Sequence, residues 1–116
     1  MNTPTSCIPT TLALAALMLS PFASYAQEAV VRTVILNAQS RFVPEQTVVP
    51  RNVKFLLIVR NESASNDEIE SDDLGTEKAI KPGQSLELLL GPLKRGTYHF
   101  MGDMHRQTAQ GQIVVK

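Results

Sequence analysis

The chain has 116 residues, with 11 basic and 11 acidic side chains, and so carries no formal net charge. That balance argues against nucleic acid as a partner and against a general electrostatic membrane surface, both of which call for an excess of Lys and Arg. The single cysteine, Cys7, lies near the start. Everything beyond it lacks a disulfide, a thiolate metal ligand and a cysteine nucleophile.

Residues 10–19 read TTLALAALML, an uncharged apolar run. It is shorter than the roughly 20 residues that a membrane-spanning helix needs. Ser24-Tyr25-Ala26 follows, a small-x-small pattern suited to signal peptidase. The expectation is a signal peptide over residues 1–26, cleaved after Ala26. The mature domain is then 27–116, periplasmic and not embedded in the membrane. No Lys or Arg precedes the apolar run, so the positive charge before it rests on the amino terminus alone. Cys7 lacks the apolar and small residues that precede a lipoprotein cysteine, so no lipid anchor is expected.

Beyond residue 27 the periodicity is two. Val30, Arg32, Val34 and Leu36 alternate with Val31, Thr33 and Ile35, a β-branched run that predicts a strand. Phe42-Val43-Pro44 interrupts it, residues 46–49 resume an extended piece, and Pro50-Arg51-Asn52 is a turn. Residues 53–59, VKFLLIV, predict a strand buried on both faces. Residues 61–75, NESASNDEIESDDLG, are polar and acidic, anchored only by Ile69 and Leu74. Further strands are expected at 77–80, 85–90, 97–101 and 111–116, with Lys81-Pro82-Gly83 as a turn and 102–110 as a polar loop. Seven or so short strands with close turn signals and no helical pattern predict an all-β, Greek-key β-sandwich.

Two segments concentrate chemistry-bearing side chains. In the first, Asp67-Glu68-Ile69-Glu70, an extended backbone puts Glu68 and Glu70 on one face and Ile69 on the other. Crowded carboxylates repel, and a cation relieves the repulsion. A solvated acidic loop is the bland alternative. In the second, Met101-Gly102-Asp103-Met104-His105, two thioethers, a carboxylate and an imidazole fall within five residues. Imidazole with thioether favours copper, and imidazole with carboxylate favours iron, zinc or Cu(II). The alternative is that Met101 and Met104 fill the core while His105 lies on the surface. His99, between Tyr98 and Phe100, is expected to face outward. No nucleophile constellation, phosphate-cradling loop or paired Cys–His zinc pattern occurs.

Taken together, Phe42-x-Pro44, the strand ending at Asn61, Lys81-Pro82-Gly83, Gly96-Thr97-Tyr98-x-Phe100, the His105 loop and Gly111-x-Ile113-Val114-Val115 resemble the cupredoxins. A blue-copper member has a His after the Asn-ending strand, a Cys past the Tyr-x-Phe strand, a His soon after it and a terminal Met. Here those positions hold about Asp67, Gly102, His105 and a residue near Gln110, so only His105 is kept. Glu68-Ile69-Glu70-Ser71, Asp73-Leu74, Glu77-Lys78-x-Ile80, Gly91-Pro92-Leu93-Lys94 and Met101-Gly102-x-Met104-His105 are similar to the small periplasmic cupredoxin-like proteins of bacterial ferrous-iron uptake systems, related to the cupredoxin domain of EfeO.

That resemblance implies copper as cofactor and iron as substrate or ligand. It also implies work beside a membrane iron permease, a periplasmic iron- and copper-binding protein and a membrane ferredoxin-like protein. The implied role is oxidation of Fe(II), as a ferroxidase-like accessory, or electron transfer coupled to its import. Carried over by position, the metal ligands are Glu68, Met101 and His105, with Glu70, Asp103 and Met104 behind them. Two other roles stay open: a periplasmic copper chaperone or scavenger using Met101, Met104 and His105, and a metal-free β-sandwich that docks a protein through its acidic loop.

Overall fold

The computed structural model describes residues 2–4, 15 and 28–116. The expected cleavage site at Ala26 lies outside the described residues, as does nearly all of the apolar run. Among the described residues, no helix is long and apolar enough to cross a membrane.

Nine strands follow in order: β1 (Val30–Leu36), β2 (Phe42–Val43), β3 (Gln46–Val49), β4 (Phe55–Asn61), β5 (Asp67–Ser71), β6 (Thr76–Ile80), β7 (Ser85–Leu90), β8 (Gly96–Gly102) and β9 (Gln110–Val115). One turn of 3-10 helix, Asp103–His105, joins β8 to β9. The strands form two sheets, β2-β1-β4-β7 and β3-β9-β8-β5-β6. Both sheets are mixed, because β1 runs parallel to β4 and β3 parallel to β9. The chain crosses between sheets five times, at β2–β3, β3–β4, β4–β5, β6–β7 and β7–β8. This is the expected all-β Greek-key sandwich.

Period-two alternation sets which side chains meet between the sheets. Val34, Leu36, Phe55, Leu57, Val59 and Leu88 face inward from one sheet, and Val49, Ile69, Ile80, Phe100, Ile113 and Val115 from the other. Phe42 meets Phe100 edge to face, with ring centroids 4.8 Å apart, a favoured aromatic geometry. Fully burying each such side chain stabilises the fold by about 1.5–3 kcal/mol. A domain without cysteine depends on this core.

Three expectations change. The 53–59 run starts its strand at Phe55 and is buried on one face only: Leu56 and Ile58 point outward and are half-covered by the neighbouring strands. The acidic stretch is not a loop. Residues 67–71 and 76–80 pair as the antiparallel strands β5 and β6. The reason lies in the alternation Asp67, Ile69, Ser71, all buried, against half-buried Glu68 and Glu70. Finally, Gly102 belongs to β8, and the following polar segment is tightened by the 3-10 turn.

β4 ends, β5 begins and β8 ends at the same end of the sandwich. The connections 62–66 and 103–109 therefore lie side by side there, and the candidate residues collect around them.

A candidate metal-binding end of the sandwich

Asn61, the last residue of β4, orders the first connection. Its side chain is fully buried. The amide donates to the carbonyls of Ser65 and Ile80 at 2.9 and 3.2 Å, and its oxygen accepts from the Ser63 N–H and hydroxyl at 3.0 and 2.6 Å. Four bonds to one amide fix residues 61–65 as a unit. The second connection is closed by its own backbone: the Gly102 N–H donates to Ala109 O at 2.9 Å, and the Ala109 N–H to His105 O at 2.8 Å.

Asp67 joins the two connections. Its side chain has no solvent exposure. Oδ1 accepts the N–H groups of Glu68 at 2.8 Å and Met104 at 3.0 Å, and Oδ2 lies 2.7 Å from His105 Nδ1. An ionised carboxylate can only accept, so Nδ1 is the donor in this bond. The other ring nitrogen, Nε2, lies 3.4 Å from Ser65 Oγ. The His105 side chain is 31% exposed, and Met104 on the same turn is exposed.

The outward side chains of β5 tell a separate story. Glu70 stands opposite Glu77 across β5–β6 and opposite Met101 across β5–β8. Like charges directly opposite one another destabilise a sheet. The Glu68 carboxyl is held above the ordinary carboxylate range, first by a hydrogen bond to Glu77 and then by loss of hydration and by the charges of Glu77, Asp103 and Glu70. The Glu70 carboxyl is also raised, chiefly by a hydrogen bond to Asp103 and by its charge. Asp103 is lowered, first because the Arg106 guanidinium donates to it at 2.6 Å.

The structure thus sorts the sequence-predicted residues into two groups. Glu68, Glu70, Met101 and Asp103 belong to the outer face of the five-stranded sheet and its rim. His105 is turned to the end of the sandwich and held by Asp67, with Met104 exposed beside it in the chain. Neither Met101 nor Met104 belongs to the core. Among the described residues, no three His, Cys, Asp or Glu side chains are already arranged to enclose an ion. His99 faces outward as expected, with Nδ1 3.3 Å from Asp73 Oδ2. Sequence reasoning named Asp67 in the acidic segment and Glu77 in the resemblance without giving either a role at the site, and it missed Arg106. The alternation around Ile69 carried a signal for Asp67, since it sets Asp67 on the buried side of the same strand.

A two-sheet Greek-key sandwich with candidate residues on a connection at one end and on the strands that lead to it is a cupredoxin-type architecture. The model of the cupredoxin-like domain family matches residues 10–115, and the chain belongs to that family. An uncharacterized protein of Rickettsia prowazekii (strain Madrid E) is 44% identical over 75 residues, covering 65% of this chain. The match spans 60% of that relative's length. Three solved structures share the fold at low identity. The metal-binding domain of the Cu(I)-exporting P-type ATPase CopA of Streptococcus pneumoniae D39 is 16% identical with a TM-score of 0.64, covering 74% of this chain and 84% of that one. Auracyanin A, a blue copper protein of Chloroflexus aurantiacus, is 13% identical with a TM-score of 0.64, covering 76% and 99%. A purple cupredoxin of Nitrosopumilus maritimus is 14% identical with a TM-score of 0.56, covering 72% and 98%.

A blue-copper centre does not fit the residues present. Such a site needs a thiolate, and the resemblance puts Gly102 at the position of the cysteine. An added Cβ there would lie 2.6 Å from Asp67 Oδ2 and 2.7 Å from Ala109 Cβ. The space for a cysteine side chain is filled by protein, and the carboxylate filling it is fully engaged in hydrogen bonds.

Proposed function

We propose that this protein works in the periplasm as a cupredoxin-like metal-binding protein that assists ferrous-iron uptake, through oxidation of Fe(II) or electron transfer, and not as a blue electron carrier. The observation that carries this reading is the crowding of Glu68, Glu70, Glu77 and Asp103 on one sheet face, with Glu68 and Glu70 held above their ordinary proton affinity by their neighbours. A divalent cation takes the place of those shared protons and cancels the repulsion that keeps them. Carboxylates suit iron, and the Met101 thioether beside Glu70 adds a soft donor suited to copper. The donors are adjacent but not preassembled as a cage, which suits an ion that is accepted and handed on. The partners that follow from this role are a membrane iron permease and a periplasmic iron-binding protein.

Calorimetric titration of the purified protein with Fe(II), Cu(I) and Cu(II), with and without Glu68→Gln and Glu70→Gln, tests the binding. Uptake of either metal that weakens in the variants is the expected result; no uptake of any of the three overturns the reading. Deleting the gene should impair growth on limiting Fe(II). Altered copper tolerance with normal growth on Fe(II) would instead favour a copper chaperone, a reading that the exposed Met104 thioether next to His105 supports.

A further inference from the structure

We propose that β7 is a dimerisation edge: two copies of this chain pair their β7 strands antiparallel and join their four-stranded sheets into one sheet of eight. Nothing in this depends on metal binding, so its test stands apart from the reading above.

The two sheets have four edges, β2 and β7 in one and β3 and β6 in the other. An open edge offers unpaired N–H and C=O groups to any strand that reaches it. Proteins block such edges with short strands, with Pro, with charged side chains or with charges turned inward. Three of the four edges are blocked in these ways. β2 is two residues long and runs into Pro44. β3 is followed by Pro50, and its Val48 carbonyl accepts from Arg32 Nε of β1 at 2.9 Å. β6 carries Glu77 and Lys78, and Lys78 stands opposite the buried Ile69, which brings its charge to the inner side of the edge. β7 has none of these devices. Its six residues, SLELLL, hold no Pro, Lys or Arg, and they pair with β4 in unbroken register from Leu90 to Ser85.

Burial across the sheet singles out the same edge. Val31, Leu56 and Leu89 form one row on the outer face, through the pairings Val31–Leu56 and Leu56–Leu89. Leu56 has a strand on each side and is half-buried. Leu89 has a neighbouring strand on one side only and is 71% exposed, more than any other large apolar side chain among the described residues. A further strand beside β7 would give Leu89 the cover that Leu56 already has.

The strand that fits is a second β7. Its one charge is Glu87. An antiparallel two-fold through Leu88 sets Leu88 against Leu88 of the second copy, Leu86 against its Leu90, and Glu87 against its Leu89. The two Glu87 carboxylates then avoid the direct opposition that destabilises a sheet. Leu86, Leu88 and Leu90, which pack against the core, continue it from one copy to the next. Each copy contributes its one unblocked edge to a symmetric contact, so the assembly closes at two and does not grow into a fibre. Ser85 lies opposite Arg60, beside Asn61 at the candidate metal-binding end. The antiparallel pairing therefore points the two metal-binding ends in opposite directions and leaves both open.

The test is sedimentation equilibrium of the purified protein over a range of concentrations, with circular dichroism as the check on folding. The wild type should reach twice the monomer mass as concentration rises. Leu89→Glu changes an exposed position and should fold like the wild type. It sets an acid opposite Glu87 at two places in the dimer and should raise the dissociation constant roughly tenfold or more. Adding Glu87→Lys to Leu89→Glu should restore the dimer, because residue 87 of one copy faces residue 89 of the other and opposite charges replace like ones. A monomer at every concentration overturns the proposal and leaves the edge to a strand of some other molecule. So does a dimer that Leu89→Glu leaves unchanged, since it uses another surface. A dimer weakened by Leu89→Glu but not recovered by Glu87→Lys overturns the antiparallel pairing through Leu88.

Discussion

Gly102 and Asp67 compete for one volume. A methyl group on Gly102 would sit 2.6 Å from the Asp67 carboxylate oxygen that binds His105. The carboxylate cannot swing aside without breaking bonds to the Met104 and Glu68 N–H groups and to the imidazole. A side-chain-free residue at this step of β8 and a buried acid at the start of β5 therefore require each other.

The first prediction follows from that pair. Gly102→Ala should destabilise the fold by about 1–3 kcal/mol, the usual cost of overpacking a closed site. Asp67→Ala should cost a similar amount through lost bonds to a charged acceptor, about 1.5–3 kcal/mol for one such bond. The two effects should not add. With the carboxylate gone, only Ala109 Cβ still opposes the new methyl, so the double variant should be more stable than the sum by about 0.5–3 kcal/mol. Urea unfolding of the four proteins measures the coupling. Simple additivity would mean that the two side chains do not share the space.

A second prediction concerns colour. Cu(II) added to the wild-type protein should give no intense blue charge-transfer band, since no thiolate is available in the folded domain. Gly102→Cys alone should not create one, because its sulfur has no room beside Asp67 and Ala109. Visible absorption during a Cu(II) titration checks both. An intense blue band in the wild-type protein would show that a thiolate reaches the metal.

Much of this fold was legible before any coordinates. The alternation in β1 marked a strand, that around Ile69 turned Ile69 to the core and Glu68 and Glu70 away from it, and Tyr98-x-Phe100 placed His99 outside. The candidate end was only partly legible. In DEIESDD the acids form a row in the sequence, and what separates Asp67 from Glu68 is the strand that 67–71 joins. That depends on β5 meeting β8 at Ile69–Gly102 and Glu70–Met101, pairings more than thirty residues apart in the chain. The direction of the His105 ring was less accessible still. It follows from a 3-10 turn whose N–H at Met104 is bound by Asp67, so the turn and the acid that holds it come into being together.

Asn61 is the third test. Its amide makes four hydrogen bonds from a fully buried position, and it ties the 62–65 connection to Ile80. Asn61→Ala would take a donor from the Ile80 carbonyl and an acceptor from the buried Ser63 N–H and hydroxyl, and a buried group left unsatisfied costs about 1–3 kcal/mol. A loss of about 3 kcal/mol or more in unfolding free energy is expected. Hydrogen exchange should also quicken at Ser63 and Ser65 before the core strands are affected. A stability change within error would mean that the loop is held by other contacts.

The last prediction turns on the sign of the carboxyl shifts. Glu68 and Glu70 are raised above their ordinary range in the folded protein, Glu68 chiefly through its hydrogen bond to Glu77 and Glu70 chiefly through its hydrogen bond to Asp103. The folded state therefore holds these protons more tightly than the unfolded chain does. Their contribution to stability is fully present below the ordinary carboxylate value of 4.5 and is lost as the pH rises through the raised folded values. Glu68→Gln keeps a hydrogen bond to Glu77 without acquiring a charge. It should consequently be more stable than the wild type at neutral pH, with the advantage vanishing below the ordinary carboxylate range. A divalent cation should have the same effect as the substitution, since it cancels the same repulsion, so thermal unfolding at pH 7 with added Fe(II) under anaerobic conditions should raise the melting temperature of the wild-type protein more than that of Glu68→Gln. If Glu68→Gln is instead less stable at neutral pH and equal at low pH, the Glu68 charge is favourable in the folded state, and the crowding read from this face is not a strain that a cation relieves.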